Sequence, residues 1–151
     1  MTTAELTLDK ARVDLGDVIS MDTLRDLAAQ PGPHVSLYLP THRDLPDLRH
    51  DALAFRACVE EARAALAAED VPGHVADALL NPLDELVADT PFWARQAEGL
   101  AVFAHPGGTL ILRLPSDVPR RVVVGPHPHL RPLVPLATGA TLALPEALTH
   151  H

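Results

Sequence analysis

Strict alternation of apolar and polar residues marks the first clear element of the chain. In "HVSLYL", His34 to Leu39, Val35, Leu37 and Leu39 fall on one side and Ser36 and Tyr38 on the other, which is the two-residue period of a strand. Upstream, Ser20 is placed to cap a short helix with Asp22 in its first turn, and Pro31-Gly32-Pro33 stops it. From Asp47 the period lengthens. Leu48, Ala52, Phe55, Val59, Ala62 and Leu66 recur at steps of 4, 3, 4, 3 and 4, so one helical stripe faces a core. Asp70 before Val71-Pro72 is expected to start a second helix with Val75, Leu79, Leu83 and Leu86 inward, lying antiparallel to the first. Asn81-Pro82 predicts either a kink in that helix or a fresh start after it.

Strand patterns dominate the rest. Thr90 and Pro91 open a single turn carrying Phe92 and Trp93, and Trp93 is expected to wedge between sheet and helices. "GLAVFA" and "TLILRL" read as strands joined by the hairpin turn "HPGG", in which Gly107 and Gly108 are expected at positive φ. A further strand, "RRVVVG", ends before Pro126. The proline-dense "PHPHLRPLVPL" is excluded from a sheet interior because proline lacks the ladder donor, and a last short strand, "TLALP", follows it. This order predicts an α+β fold, a largely antiparallel or mixed sheet of about four to five strands with helices packed on it.

Length is that of one domain, 151 residues. Residues 1–19 hold no sustained period and are expected to form a loosely ordered arm ahead of a single α+β domain over residues 20–151. Cys58, the lone cysteine, rules out an intramolecular disulfide and falls in helical phase as a core-facing or half-buried thiol. No apolar run approaches the roughly 18 residues of a membrane span. Glu5, Asp9, Asp14 and Asp17 occupy the place of a signal-peptide core, so a cytoplasmic protein is expected.

The formal net charge of −8 speaks against a surface that is basic throughout. Its distribution changes that picture. Residues 1–34 hold six acids against three bases and residues 35–100 twelve against five, whereas residues 101–151 hold Asp117 and Glu146 against Arg113, Arg120, Arg121 and Arg131. A polyanion contact is therefore sought in the last third. Eleven of the twelve bases are arginine, which suits bidentate phosphate pairing and equally fits a GC-rich coding sequence.

Three motifs in order, "SLYLPTHR", "FWARQAEGLAVF" and "RRVVVGPHPHLRPLVPL", resemble the N-terminal domain of the bacterial proteins related to archaeo-eukaryotic peptide-chain release factors. The resemblance runs from about Met21 to Leu136. It implies a role around the ribosome or structured RNA and, in the family, downstream domains that this chain does not contain. Two family chemistries do not carry over. The single Gly-Gly, Gly107-Gly108, is followed by Thr109 and not by the glutamine that peptidyl-tRNA hydrolysis requires. The Asn-Ile-Lys-Ser motif of stop-codon reading is missing, and the only lysine is Lys10.

Thr41, His42 and Arg43 follow Pro40 at the end of the first strand and form the candidate chemical corner. A catalytic reading lacks a nucleophile elbow or glycine-rich turn nearby. A phosphate contact through Arg43 and the Thr41 hydroxyl is one alternative; strand-end punctuation, with Arg43 pairing an acid such as Asp47, is the other. His127 and His129 lie two apart in "PHPH", yet a structural zinc site wants four ligands, so no metal and no cofactor is expected. Arg49, Arg56 and Arg63 recur every seven residues; Asp51, Glu60 and Glu61 flank them, and a solvated ladder of ion pairs is expected. The sequence thus predicts a non-enzymatic binding or docking domain. Arg113, Arg120, Arg121, Arg131, Arg43 and Thr41 are its candidate polyanion contacts, with the ribosome, structured RNA or the family's downstream domains as partners. The competing readings are a small-molecule or hydrolytic site at Thr41-His42-Arg43 and a self-associating module, a homo-oligomer.

Overall fold

In the computed structural model, which describes residues 12–14, 19–42 and 48–137, one sheet carries an apolar layer on each face. The strands are β1 (Arg12–Asp14), β2 (His34–Pro40), β3 (Gly99–His105), β4 (Gly108–Leu114) and β5 (Arg121–Gly125), in the order β1-β4-β3-β2-β5. β2 to β5 pair antiparallel, and β1 joins β4 in parallel. The helices are α1 (Met21–Ala28), α2 (Leu48–Ala68), α3 (Gly73–Val87) and the single turn α4 (Thr90–Trp93), with a 3₁₀ segment at Arg131–Leu136. This is the α+β architecture read from the pattern, with a mixed sheet.

The expected strand "TLALP" lies outside the described residues. Among the described residues the fifth strand is β1, within the stretch read as a loose arm. Three residues are too few to show a period, which is why the pattern passed over them. Ile19, at the end of the same stretch, is buried.

On one face, Phe55, Val59 and Leu66 of α2 and Leu79 and Leu83 of α3 cover Val35, Leu37 and Leu39 of β2. Trp93 sits in this layer, its ring 5.4 Å from Phe55 and 4.9 Å from Phe92, and its indole N–H donates to the Leu86 carbonyl at 2.7 Å. The wedge position is as expected. On the other face, Met21, Leu24 and Leu27 of α1, with Leu130 and Leu133, cover Phe103 and Leu112.

That second layer gives Ser36 and Tyr38 a use their alternation did not reveal. Both are buried. Ser36 Oγ accepts from the His129 backbone N–H at 2.9 Å, and the Tyr38 hydroxyl donates to the His129 carbonyl. Two polar side chains thereby satisfy the backbone of a proline-rich segment that has no ladder of its own. Burial pushes the Tyr38 phenol well above its ordinary pKa.

Helix ends follow local chemistry. Ser20 Oγ accepts from Thr23 N at 3.1 Å, as its position predicts. Asp70 does not start α3. It stands at φ 62° in the left-handed region, where its N–H donates to Ala67 O at 3.0 Å and that of Val71 to Leu66 O at 3.0 Å. This pairing is a Schellman closure of α2, with Val71 returning to the core. Pro72 takes the N-cap of α3 without a side-chain hydrogen bond. α3 then runs unbroken through Pro82, held by Leu79, Leu80, Leu83 and Leu86 on the core. In the β3–β4 hairpin only Gly108 takes positive φ, at 150°; Pro106 and Gly107 form the turn, and His105 pairs with Gly108.

Candidate functional site

Where β2 ends, Pro40 leaves the sheet and two buried anchors fix the next residues. Thr41 N donates to Glu98 O at 3.2 Å, and its hydroxyl donates to Ala97 O at 2.9 Å. Thr41 is only 5 % exposed. Its oxygen is committed to a backbone carbonyl and is not presented to a phosphate or to His42. Arg43, and its expected pairing with Asp47, lie outside the described residues.

His42 has a partner that the sequence reading did not nominate. Asp51, in the first turn of α2, is 1 % exposed; its Oδ2 accepts the His42 backbone N–H at 2.8 Å, and its Oδ1 lies 2.7 Å from His42 Nδ1. The carboxylate therefore accepts a hydrogen bond from Nδ1–H and sets the tautomer, which leaves Nε2 as the unprotonated nitrogen of a neutral ring that is 43 % exposed. His50 stands edge-on at 5.9 Å. A buried acid that orients a half-exposed imidazole is an arrangement able to hold or move a proton at Nε2. The signal for Asp51 was present: Asp51, Phe55, Cys58 and Ala62 fall at steps of 4, 3 and 4, so the acid is in phase with the core and not with the arginine stripe.

The arginines do not converge. Arg113 lies on the α2–α3 face of the sheet, stacked 4.7 Å above the Phe92 ring, with Nε donating to Arg95 O at 2.5 Å. Arg120 pairs with Glu61 of α2 at 3.1 Å. Arg121, the cross-strand neighbour of Tyr38, is on the opposite face and exposed. Arg131 is exposed at the start of the 3₁₀ segment, two residues after the His129 carbonyl that binds Tyr38. Of the four, Arg120 is tied to Glu61 and Arg113 to Phe92, while Arg121 and Arg131 are exposed.

Other candidates resolve into packing. Arg63 bridges to Asp77 at 3.1 Å and Asp84 at 2.9 Å on α3, with Glu60 at 4.0 Å, while Arg56 is exposed. The ladder therefore spans two helices instead of one. Cys58 is fully buried; burial pushes its thiol pKa up, and the neighbouring Arg120 pulls against that shift. His127 is exposed, whereas His129 is buried against Tyr38, edge-on at 5.8 Å, so the two rings serve different surroundings. Among the described residues no group of three or more His, Cys, Asp or Glu could hold a metal ion, and no helix is long and apolar enough to cross a membrane.

A second histidine site closes the other end of β2. His34 is 1 % exposed, its Nε2–H donates to Gln30 O at 2.8 Å, and its buried Nδ1 has no hydrogen-bond partner. The His105 ring lies 5.6 Å away. Burial lowers the pKa of both rings, with His127 adding to the effect on His34 and His34 to that on His105. The sequence matches no protein-family model and no curated protein.

Proposed function

We propose that the domain is a non-enzymatic docking unit of a release-factor-like protein that contacts the ribosome or structured RNA. The observation that carries this reading is that Arg121 and Arg131 are both exposed, in the part of the chain where arginines outnumber acids. The order of the three family-like motifs supports it, as does the shortage of acids after residue 100, where Asp117 is the only one among the described residues. Arg120 pairs with Glu61 and Arg113 stacks on Phe92, contacts that also hold the domain together. Thr41 is likewise a structural anchor.

The His42–Asp51 pair favours a second reading, a site of proton transfer at the end of β2. One set of measurements separates the two. Titration of structured RNA or ribosomes with the purified chain at several salt concentrations should show binding that weakens with salt. Replacing Arg121 and Arg131 by Glu should lower that slope by roughly two, at about 0.9 per lost phosphate contact, while Arg56→Glu changes little. Absence of salt-dependent binding overturns the docking reading. Hydrolysis of peptidyl-tRNA or a simple ester above blank, lost in His42→Ala, replaces it with the second.

A further inference from the structure

β5 is an edge strand. Its strand neighbour among the described residues is β2 alone, so its outer backbone groups face away from the sheet. Natural edges are usually blunted by lysine, proline, a bulge or an inward charge. Between Arg121 and Gly125 there is none of these: Val122, Val123 and Val124 are contiguous, and all three are half-exposed.

The surroundings of this edge are unevenly charged. At its Gly125 end lies an open groove of about 370 Å³, lined by Pro33, Val71, Val124 and Pro126 with one charged group, Glu69. A Cβ placed on Gly125 would meet nothing within 4 Å. At the Arg121 end stand Arg120 and Arg121. Arg120 reaches Glu61 on α2, which locates the flank of α2 that lies beside the edge. Ala57, Ala64 and Ala68 belong to that flank, at helical spacings from Glu61, and all three are exposed. Small side chains there allow close approach of another backbone.

We propose that β5 is the seam of a symmetric homodimer, in which β5 pairs antiparallel with β5 of a second copy and continues the sheet across a two-fold axis. A two-fold contact must be self-complementary. Pairing centred on Val123 sets Val122 opposite Val124 and Arg121 opposite Gly125, so no like charges oppose one another within the strands. It also brings Arg120 of each copy alongside Pro126 of the other, at the mouth of the groove that holds Glu69. The cation at one end of the edge thus meets the anion at the other, twice. Arg121 belongs both to this seam and to the polyanion reading, but the charges paired across the seam, Arg120 and Glu69, do not carry that reading, so either can fail alone.

Sedimentation or light scattering of the full chain over a concentration series tests it. The wild type should pass from monomer to dimer mass. Glu69→Arg and Arg120→Glu should each weaken the dimer at least about tenfold, and the two together should return it to within about threefold of the wild type. Glu61→Gln, which removes only the intramolecular pair of Arg120, should leave the dimer within about threefold, and circular dichroism checks that every variant is folded. A wild type that stays monomeric at every concentration overturns the proposal. So does a dimer that both single charge reversals leave intact, or one that the double reversal fails to restore.

Discussion

The two ends of β2 each carry a histidine, and the same side chain is used in opposite ways. At the C-terminal end, His42 is half-exposed, with its ring and backbone N–H both held by a buried carboxylate, Asp51, at 2.7 and 2.8 Å. At the N-terminal end, His34 is buried against a carbonyl, with His105 and His127 as its titratable neighbours, an environment that excludes the charged form. The lesson is that a histidine is read from its partners and not from its position at a strand end. One ring, at the surface, is oriented by a carboxylate; the other, being buried, converts a proton into lost stability.

The largest effect should come from removing the acid. Asp51→Ala strands the His42 backbone N–H and ring, and should cost about 3 kcal/mol in denaturant melts. Asp51→Asn, which keeps an acceptor, should cost less. Equal losses for the two variants would mean that one acceptor oxygen is not enough and that the corner needs the whole carboxylate.

Next comes acid sensitivity at the opposite end. His34 and His105 have pKa values lowered from the ordinary 6.5, so below that pH the unfolded chain binds protons that the folded chain refuses. Their contribution is complete above about 6.5 and is lost as pH falls toward the lowered values. The slope reaches at most ~1.4 kcal/mol per pH unit for each proton taken up. Melts at a series of pH values should show this slope, and His34→Phe should flatten it. An unchanged slope in that variant would assign the acid sensitivity to other groups.

His42→Ala should cost less than Asp51→Ala, because the ring is half-exposed and the backbone N–H of residue 42 still donates to the buried carboxylate. A cost approaching that of Asp51→Ala would make the imidazole itself a structural part of the corner and erase the contrast with His34.

Much of the frame was legible because period is visible in long elements. The α2 stripe, β2 to β5, the Ser20 cap and the Trp93 wedge all follow from spacing or from one residue's chemistry. What escaped depends on contacts between residues far apart in sequence. Ser36 and Tyr38 alternate like a wetted face, yet the partner that buries them arrives from residue 129. Asp51 looked like one more surface acid beside arginines, and only its phase with Phe55 and Cys58 set it apart. Asp70 resembled a helix start because Asp favours caps; it also tolerates the left-handed conformation that ends one. The arginine cluster was a cluster in sequence alone, since strand alternation sends Arg120 and Arg121 to opposite faces.

The placement of β2 between β3 and β5 has a consequence for how the chain assembles as it is made. A nascent chain that has reached Leu114 already contains β2, β3, β4 and the whole α2–α3 layer. It still lacks the strand that completes β2 and the segment that clasps Tyr38, whose partner stands 91 residues downstream. Until residues 121–133 emerge, β2 remains an open edge, and Phe103 and Leu112 lack the cover of Leu130 and Leu133. Such long-range closure slows folding and leaves an interval in which a half-built sheet can meet another chain, so elements made well after β2 are the ones that shield it.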